Sequence, residues 1–263
     1  MKAASVIFAA GRGSRMKGYE GNKTLLPLIA GDESFKGSRP MLIEVLSNLP
    51  SGSKAIVVNY KKEDVIAQTA SFNPVYCEQP VTNGTGGALI AAESFIKKIV
   101  EDKVIITMGD VPLIRKSTYE MLLYELRKSD MVVAAFAPHD KGKYGALEIG
   151  NGIVQKITEW KYWKDYPQQV QERLTLFNTG IYAFYKESLL SSIDLLKKNP
   201  HIVEKERDGK KVHIEEFFIT DIVEFMVARN VHPGYVAIKD ETEVMGIDTP
   251  EALKRAQEIY STR

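Results

Sequence analysis

The chain has 263 residues, 44% of them hydrophobic and 26% charged, and a formal net charge of +1. This length fits one large α/β domain or two small ones, and the balanced charge excludes the basic field that nucleic-acid binding needs. The single cysteine, Cys77, excludes an intramolecular disulfide, and no apolar run approaches the roughly 18 residues of a membrane helix. With no signal peptide before the first strand, we expect a cytoplasmic protein without nucleic-acid or membrane partners.

The first apolar run, residues 3–10, predicts a strand buried on both faces, because it is short, β-branched at its centre and ended by glycine. Gly11 and Gly13 allow a sharp turn that brings backbone amides close to a ligand. Three cations lie within the next residues: Arg12, Arg15 and Lys23. Charged donors around an amide-rich turn indicate a clamp for the phosphates of a nucleoside triphosphate.

Two common glycine motifs are excluded at this turn. A Walker A loop requires a Gly-Lys-Ser/Thr ending that is absent here, and the dinucleotide fingerprint requires a third glycine where Met16 stands. For the two glycines alone, a plain strand-to-helix turn with solvated arginines stays open as the alternative.

A second glycine-rich segment follows further along the chain. Before it, the pattern predicts a surface loop at 31–40, helices at 41–49 and 63–70, and strands at 55–58 and 74–77. Residues 78–87 then carry Gly84, Gly86 and Gly87, and the next helix is predicted to start near Ala88. Glycines before a helix suit close approach of a ligand, although a flexible turn is the alternative reading.

Residues 103–108 predict another buried strand, which ends in Gly109-Asp110. Open α/β sheets bind ligands at the carboxyl ends of their strands, which is where this aspartate stands. Carboxylate oxygen suits Mg²⁺, which takes one or two carboxylates together with phosphate oxygens and water. Taken alone, Asp110 could equally be a turn former.

The pattern changes after residue 137. Until then a helix at 117–128 and a strand at 131–137 continue the alternation that predicts a doubly wound sheet. Short alternating strands at 146–149 and 153–158 follow, joined by Asn151-Gly152, a strong hairpin signal. We therefore predict one domain with a nucleotide-binding half, 1–137, and an antiparallel half, 138–263.

The remaining elements are a helix at 186–197, a charged arm at 199–213 with a turn at Asp208-Gly209, and a strand at 235–238. Thr220 and Thr249 are candidate helix N-caps, the second strengthened by Pro250 at the first helical position.

Several strings together resemble the signature of sugar-phosphate nucleotidyltransferases. They are Gly-x-Gly-Ser-Arg-Met with Lys-x-Leu-Leu-Pro-Leu at 11–28, Gly-Asp-Val-Pro-Leu-Ile at 109–114, Tyr-Gly at 144–145, Glu-Trp-Lys at 159–161, Phe-Asn-Thr-Gly at 177–180 and Glu-Phe-Phe-Ile-Thr-Asp-Ile at 216–222. The last string is most similar to the uridylyltransferase domain of the bifunctional N-acetylglucosamine-1-phosphate enzymes. This chain departs from that domain at Asn22, where proline is usual, at Asp248, where asparagine is usual, and in a longer 80–83 segment.

The resemblance implies a Rossmann-like, mostly parallel α/β fold and a set of site residues. The catalytic cations would be Arg15, Lys23 and Lys161. The nucleotide would be bound by Ala9, Ala10, Gly11, Gly13, Gly84, Thr85 and Gly109. The sugar phosphate would be bound by Gly145, Glu159 and Asn178. The ligands of Mg²⁺ would be Asp110 and Asp248.

The implied reaction joins a sugar 1-phosphate to a nucleoside triphosphate, with UTP expected from the resemblance, and releases pyrophosphate. N-acetylglucosamine 1-phosphate or a related hexose 1-phosphate is the expected acceptor. Two alternatives stay open: transfer to a non-sugar phosphate such as an alditol phosphate or phosphocholine, and a nucleotide-sugar sensor without catalysis. The oligomeric state is also open, a homo-oligomer being one alternative.

Overall fold

The computed structural model describes residues 1–142, 144–207 and 210–263, and the predicted Asp208-Gly209 turn lies outside them. The strands are β1 (Ala4–Phe8), β2 (Pro27–Ala30), β3 (Gly37–Pro40), β4 (Lys54–Val58), β5 (Val75–Glu78), β6 (Lys103–Met108), β7 (Met131–Phe136), β8 (Ala146–Gly150), β9 (Ile153–Thr158), β10 (Phe177–Tyr185), β11 (His201–Arg207), β12 (Lys210–Glu216) and β13 (Gly234–Ile238). The α-helices are α1 (Met41–Asn48), α2 (Lys62–Thr69), α3 (Gly84–Ala91), α4 (Glu93–Lys98), α5 (Lys116–Glu125), α6 (Trp160–Trp163), α7 (Gln168–Arg173), α8 (Lys186–Lys198), α9 (Asp221–Val227) and α10 (Pro250–Ser261).

The main sheet has the order β13-β7-β10-β6-β1-β4-β5, and the β8–β9 hairpin joins it through β10. Strand β1 pairs in parallel with β4 on one side and β6 on the other, whereas β10 is antiparallel to both β6 and β7. The predicted fold class, a Rossmann-like mixed sheet that is mostly parallel, is therefore confirmed. Because β10 inserts between β6 and β7, the two predicted halves share one sheet.

Helices cover both faces of the sheet. Successive side chains of a buried strand point to opposite faces, so each strand contributes to the core on both sides. On β1, Ile7 packs with residues of α1, α2 and α5, while Val6 packs with α3, α4, α8 and α9. After β1 the chain adds β4 and β5 on one side of β1, and it then crosses back to add β6 on the other side. The gap between β1 and β6 is thus the switch point where such sheets bind ligands.

A third apolar cluster ties the first turn to the last helix. Met16, Leu26 and Leu253 are all buried in it, and the Gln257 amide donates to the Pro27 carbonyl oxygen at 2.8 Å. The predicted loop at 31–40 is partly wrong here, since residues 27–40 form the β2–β3 hairpin. This packing brings the C-terminal part of the chain to the turn after β1.

Helix α3 begins at Gly84, four residues earlier than predicted, because its first turn is held by a distant segment. The Gly86 amide donates to the Phe217 carbonyl oxygen at 2.8 Å, and the Phe217 amide donates to the Asn83 carbonyl oxygen at 2.9 Å. A Cβ at Gly84, which has a φ of +93°, would lie 2.3 Å from the Phe217 carbonyl oxygen. We call residues 217–220 the bridging segment.

We expect Gly84→Ala to lower the free energy of unfolding by about 2–5 kcal/mol, because it adds a clash to an unfavourable backbone angle. Gly152 provides the matched control: its φ is +78°, and a Cβ there would meet nothing within 4 Å. Gly152→Ala should therefore cost only about 1 kcal/mol. Urea unfolding of both variants measures the difference, and equal losses would show that Gly84 has room for a side chain.

Candidate nucleotide-binding and catalytic cleft

The turn after β1 is held by an asparagine whose importance the sequence pattern did not reveal. Asn22 is buried, and its side-chain amide donates to the carbonyl oxygens of Ala9 at 3.1 Å and Tyr60 at 2.8 Å. Its side-chain oxygen accepts from the Thr24 amide at 3.0 Å. Asn22 thus fixes the backbone on both sides of Lys23. Position 22 is the one at which the family that this chain resembles usually has proline.

Lys23 is the centre of a cluster of two cations and two acids. Its ammonium donates to Asp110 Oδ2 at 2.5 Å and also to Asp248 Oδ1, and Arg15 Nη2 lies 2.8 Å from Asp248 Oδ2. Burial disfavours the charged ammonium, but the two carboxylates outweigh burial and raise the pKa of Lys23. Lys23 therefore stays protonated, and four residues that are far apart in the sequence meet at one point.

Backbone contacts place Asp248 in this cluster. The Ile247 amide donates to the Asp110 carbonyl oxygen at 2.9 Å, which ties the segment before α10 to the end of β6. Helix α10 then starts as predicted, with the Thr249 hydroxyl accepting from the Ala252 amide at 3.2 Å and Pro250 at the first helical position. The N-cap thus fixes the backbone of the residue that follows Asp248.

The cluster opens into a cleft of about 470 Å³ at the switch point between β1 and β6. Six of the predicted nucleotide-binding residues line it: Ala9, Ala10, Gly11, Gly13, Gly84 and Thr85. Gly109 is placed differently, because it is buried and its amide donates to the Phe8 carbonyl oxygen at 2.9 Å. Gly109 therefore holds the ends of β1 and β6 together.

A larger cavity of about 910 Å³ lies beside the amino ends of β4 and β5, with Gly52 and Glu101 in its lining. It contains none of the residues of the cation–acid cluster. Ligands of open α/β sheets bind at the carboxyl ends of the strands, so position and chemistry favour the smaller cleft.

Glycine at position 13 is required by the approach of Lys23. Gly13 has a φ of +64°, and a Cβ there would lie 2.8 Å from the Lys23 Cβ. The base of the lysine side chain is consequently packed against the turn, while its ammonium reaches the two acids.

The three predicted sugar-binding residues lie next to one another. A Cβ at Gly145 would be 3.6 Å from Glu159 Oε2 and 3.8 Å from the Asn178 Cβ. Asn178 already makes two side-chain bonds within the protein, donating to the Tyr182 hydroxyl at 2.7 Å and accepting from the Gly180 amide at 3.0 Å. The side-chain nitrogen and oxygen of Asn178 can each make one further hydrogen bond, so this side chain can still bind a ligand.

Glu159 is held by the bridging segment. The Thr220 hydroxyl donates to Glu159 Oε1 at 3.1 Å, and the Ile219 amide donates to the Thr85 hydroxyl at 3.2 Å. Thr220 occupies the N-cap position of α9, as predicted. Its side chain makes no capping hydrogen bond there, and that part of the prediction is wrong. Residues 217–220 consequently connect the second glycine segment to Glu159.

Lys161 is placed apart from the cation–acid cluster. Its ammonium lies 4.7 Å from the centre of the Tyr162 ring and 5.0 Å from that of Phe218, both cation–π contacts. It does not line the cleft between β1 and β6. Contact of Lys161 with a phosphate would require the side chain to leave these rings.

Gln79 is a further cleft residue that the sequence analysis did not single out. It is buried, and its side-chain amide donates to Asn83 Oδ1 at 3.0 Å and to the Gly84 carbonyl oxygen at 3.1 Å. Tyr76, on the strand that ends just before Gln79, bonds the Thr69 hydroxyl on α2 through its own hydroxyl at 2.9 Å and is not among the residues that line the cleft. The sequence signal that could have identified Gln79 as a cleft residue is its position in the same segment as the glycines.

A doubly wound sheet with cations, carboxylates and two glycine segments at its switch point is the arrangement of a nucleotide-binding α/β protein. Residues 5–208 match the model of the MobA-like NTP transferase domain, and the chain therefore belongs to that family.

Curated relatives agree with this assignment. The bifunctional protein GlmU of Nitratidesulfovibrio vulgaris is 26% identical over 261 residues, covering 98% of this chain and 52% of that protein. GlmU of Thermodesulfovibrio yellowstonii is 28% identical, again covering 98% of this chain and 52% of the relative. The chain thus spans about half the length of these relatives. They confirm the resemblance to sugar-phosphate nucleotidyltransferases.

Two solved structures share the fold at lower identity. CMP:2-keto-3-deoxy-manno-octonic acid synthetase complexed with CTP aligns with a TM-score of 0.65 and 17% identity, covering 100% of this chain and 99% of that chain. A Bacillus anthracis protein assigned as a glucose-1-phosphate thymidylyltransferase, in complex with a sucrose, gives 0.65 and 20%, covering 98% and 95%. Both confirm the fold class.

Within the described part of the chain, none of the helices combines the length and apolar character needed to cross a membrane.

Proposed function

We propose that the protein transfers a nucleotidyl group from a nucleoside triphosphate, with UTP as the expected substrate, to a sugar 1-phosphate. N-acetylglucosamine 1-phosphate or a related hexose 1-phosphate is the expected acceptor, and pyrophosphate is released. The observation that carries the proposal is the meeting of Arg15, Lys23, Asp110 and Asp248 at the mouth of the glycine-lined cleft.

The residues fit an in-line displacement at the α-phosphorus. An oxygen of the sugar phosphate forms the new bond to this phosphorus, while the bond to the bridging oxygen of pyrophosphate breaks. Both reactants are anions, so charge neutralisation and positioning are the main tasks of the protein. Arg15 and Lys23 would donate to the phosphate oxygens as charge moves onto the leaving pyrophosphate.

Asp110 and Asp248 fit a magnesium ion that is completed by phosphate oxygens and water. In the described residues, no group of three or more His, Cys, Asp or Glu side chains forms a metal site, so an all-protein cage is not the arrangement here. Magnesium commonly binds through one or two carboxylates plus substrate phosphates, and both acids already direct an oxygen at one shared cation, Lys23. When bound, the ion would neutralise charge on the triphosphate.

The acceptor would be held by Gly145, Glu159 and Asn178. The half-buried Glu159 carboxylate would accept hydrogen bonds from sugar hydroxyls and orient the ring, and Asn178 could bond a hydroxyl or acetamido group. In this proposal Lys161 moves from the rings of Tyr162 and Phe218 to pair with the acceptor phosphate. We also propose that the protein acts in the cytoplasm.

Pyrophosphate release tests the proposal. The purified protein would be assayed with Mg²⁺, each of UTP, CTP, ATP, GTP and dTTP, and a panel of hexose 1-phosphates, alditol phosphates and phosphocholine. Release that depends on a sugar 1-phosphate supports the proposal. Release only with a non-sugar phosphate would move the assignment to that acceptor class, and nucleotide-sugar binding without release would indicate a sensor.

We expect Thr220→Val to shift the acid limb of kcat/KM for the acceptor to higher pH. Burial raises the pKa of the Glu159 carboxyl, the Thr220 hydrogen bond and the charge of Lys161 lower it, and Asp221 raises it. Removing the hydroxyl leaves the pKa higher still, so Glu159 would become protonated, and lose acceptor affinity, at a higher pH than in the wild type.

The Thr220→Ser variant is the control, because serine keeps the donor. Its pH profile should coincide with that of the wild-type protein. A Thr220→Val profile that is lowered equally at all pH values would contradict the role assigned to this hydrogen bond.

A further inference from the structure

We infer that the Lys23 ammonium keeps the divalent metal out of the cleft until a nucleoside triphosphate arrives, so that metal and triphosphate enter together. This inference rests on the proposed function and concerns how that same site is controlled. The observation behind it is that one buried lysine donates to both of the carboxylates that would bind the metal.

The first step of the argument is geometric. A divalent ion bound to Asp110 and Asp248 would use carboxylate oxygens of the same kind that now accept from Lys23. The Lys23 side chain is only about 10% exposed, and its base is packed against Gly13, so the lysine cannot simply turn out into solvent. Metal and ammonium therefore compete for the space between the two acids.

The second step concerns charge. Asp110 and Asp248 are balanced by Lys23 and Arg15, so this cluster of four residues is neutral as it stands. A divalent ion added alone would place two further positive charges beside a buried ammonium and a guanidinium, which is strongly unfavourable at low dielectric. The ion therefore needs new anions to enter.

A triphosphate supplies those anions. Its oxygens can accept hydrogen bonds from the Lys23 ammonium. Asn22 holds the backbone beside Lys23 in place, so only the end of the lysine side chain needs to move. Asp110 and Asp248 are then released for the metal that the triphosphate carries. Lys23 would thus bond the acids in the free protein and the phosphates in the complex.

The test measures metal binding to the protein in the absence of nucleotide. Mn²⁺ is titrated into wild-type protein and Lys23→Met, and free Mn²⁺ is followed by electron paramagnetic resonance. We expect the variant to bind Mn²⁺ at least about tenfold more tightly than the wild type, within the usual range of coupling between two bound groups. Lys36→Met removes an exposed lysine that pairs with Glu33 and should bind Mn²⁺ like the wild type.

A thermal-unfolding experiment keeps the test decisive if Lys23→Met folds poorly. Its two acids have lost their shared cation, so MgCl₂ should raise the Tm of Lys23→Met well above that seen in NaCl of equal ionic strength, and should not do so for the wild type. The double variant Lys23→Met/Asp110→Asn should lose both effects.

Equal Mn²⁺ affinity of the wild type and Lys23→Met, or Mn²⁺ binding that survives Asp110→Asn in the double variant, would overturn the inference. These outcomes are separate from the pyrophosphate assay. A protein that releases no pyrophosphate can still show the lysine–metal competition, and an active enzyme can lack it.

Discussion

Replacing Arg15 by alanine should lower kcat by about two orders of magnitude or more, the usual effect of removing one preorganised donor. Arg15 reaches the cluster from the turn after β1, where Nη2 lies 2.8 Å from Asp248 Oδ2, and most of its side chain is exposed to the cleft and solvent. The loss should therefore appear in turnover while the folded structure remains intact. Steady-state pyrophosphate release, with the substrates identified by the panel, measures it.

Arg12 was predicted from the sequence to be one of the three cations of the phosphate clamp, but it lies outside the lining of the cleft and so offers a matched control in the same turn. It is an exposed arginine whose guanidinium lies 5.8 Å from the centre of the Tyr60 ring. Arg12→Ala should keep kcat within about threefold of the wild type, as expected for a surface residue. Near-normal turnover of Arg15→Ala, or an equal loss in both variants, would remove Arg15 from the proposed catalytic set.

Asp110→Asn should lower kcat by about 10²- to 10³-fold, because a neutral amide would be a poor ligand for the proposed magnesium ion, which would stabilise transition-state charge by several kcal/mol. The change is nearly isosteric, and the backbone bond from the Ile247 amide to the carbonyl oxygen of residue 110 should persist. The variant should therefore unfold at close to the wild-type temperature.

The exposed Asp32 is the control for the loss of one negative charge, and Asp32→Asn should behave as the wild type. Pyrophosphate release and thermal unfolding are measured on both variants. Full activity of Asp110→Asn would show that the carboxylate has no part in the reaction, and a large fall in its Tm would point instead to a structural role.

Elements encoded by local pattern were predictable from the sequence. The Asn151-Gly152 hairpin forms with positive φ at both residues, and the Thr249-Pro250 start of α10 has the expected capping bond. Strand β6 has the predicted bounds, Lys103–Met108. In each case neighbouring residues decide the conformation, because turn geometry, N-capping and a buried apolar run act over a few positions.

The missed features depend on partners that are distant in the sequence. Helix α3 starts early because Phe217, more than a hundred residues away, accepts from its first turn, and Thr220 turns from its helix toward Glu159. The loop predicted for 31–40 ends in strand β3 because β2 pairs with it. Sequence spacing carries no signal for these contacts, since they are decided by tertiary packing.

The candidate site was predictable in composition but only partly in arrangement. The motifs indicated that Arg15, Lys23, Asp110 and Asp248 would surround one polyphosphate, and the structure brings these four together. They did not indicate that Lys23 would bond both acids, nor that Lys161 would lie on aromatic rings. A motif identifies which residues the chemistry needs, whereas competing partners within the protein decide where each side chain rests.

The backbone bond from Ile247 to Asp110 has a consequence for synthesis on the ribosome. Lys23 and Asp110 can pair once β6 has emerged, but Asp248 reaches them only when α10 packs against Met16 and Leu26. A nascent chain released only as far as β13 would hold most of the sheet but only part of the cation–acid cluster. The cation–acid cluster would thus be completed only after the segment that follows β13 has left the exit tunnel.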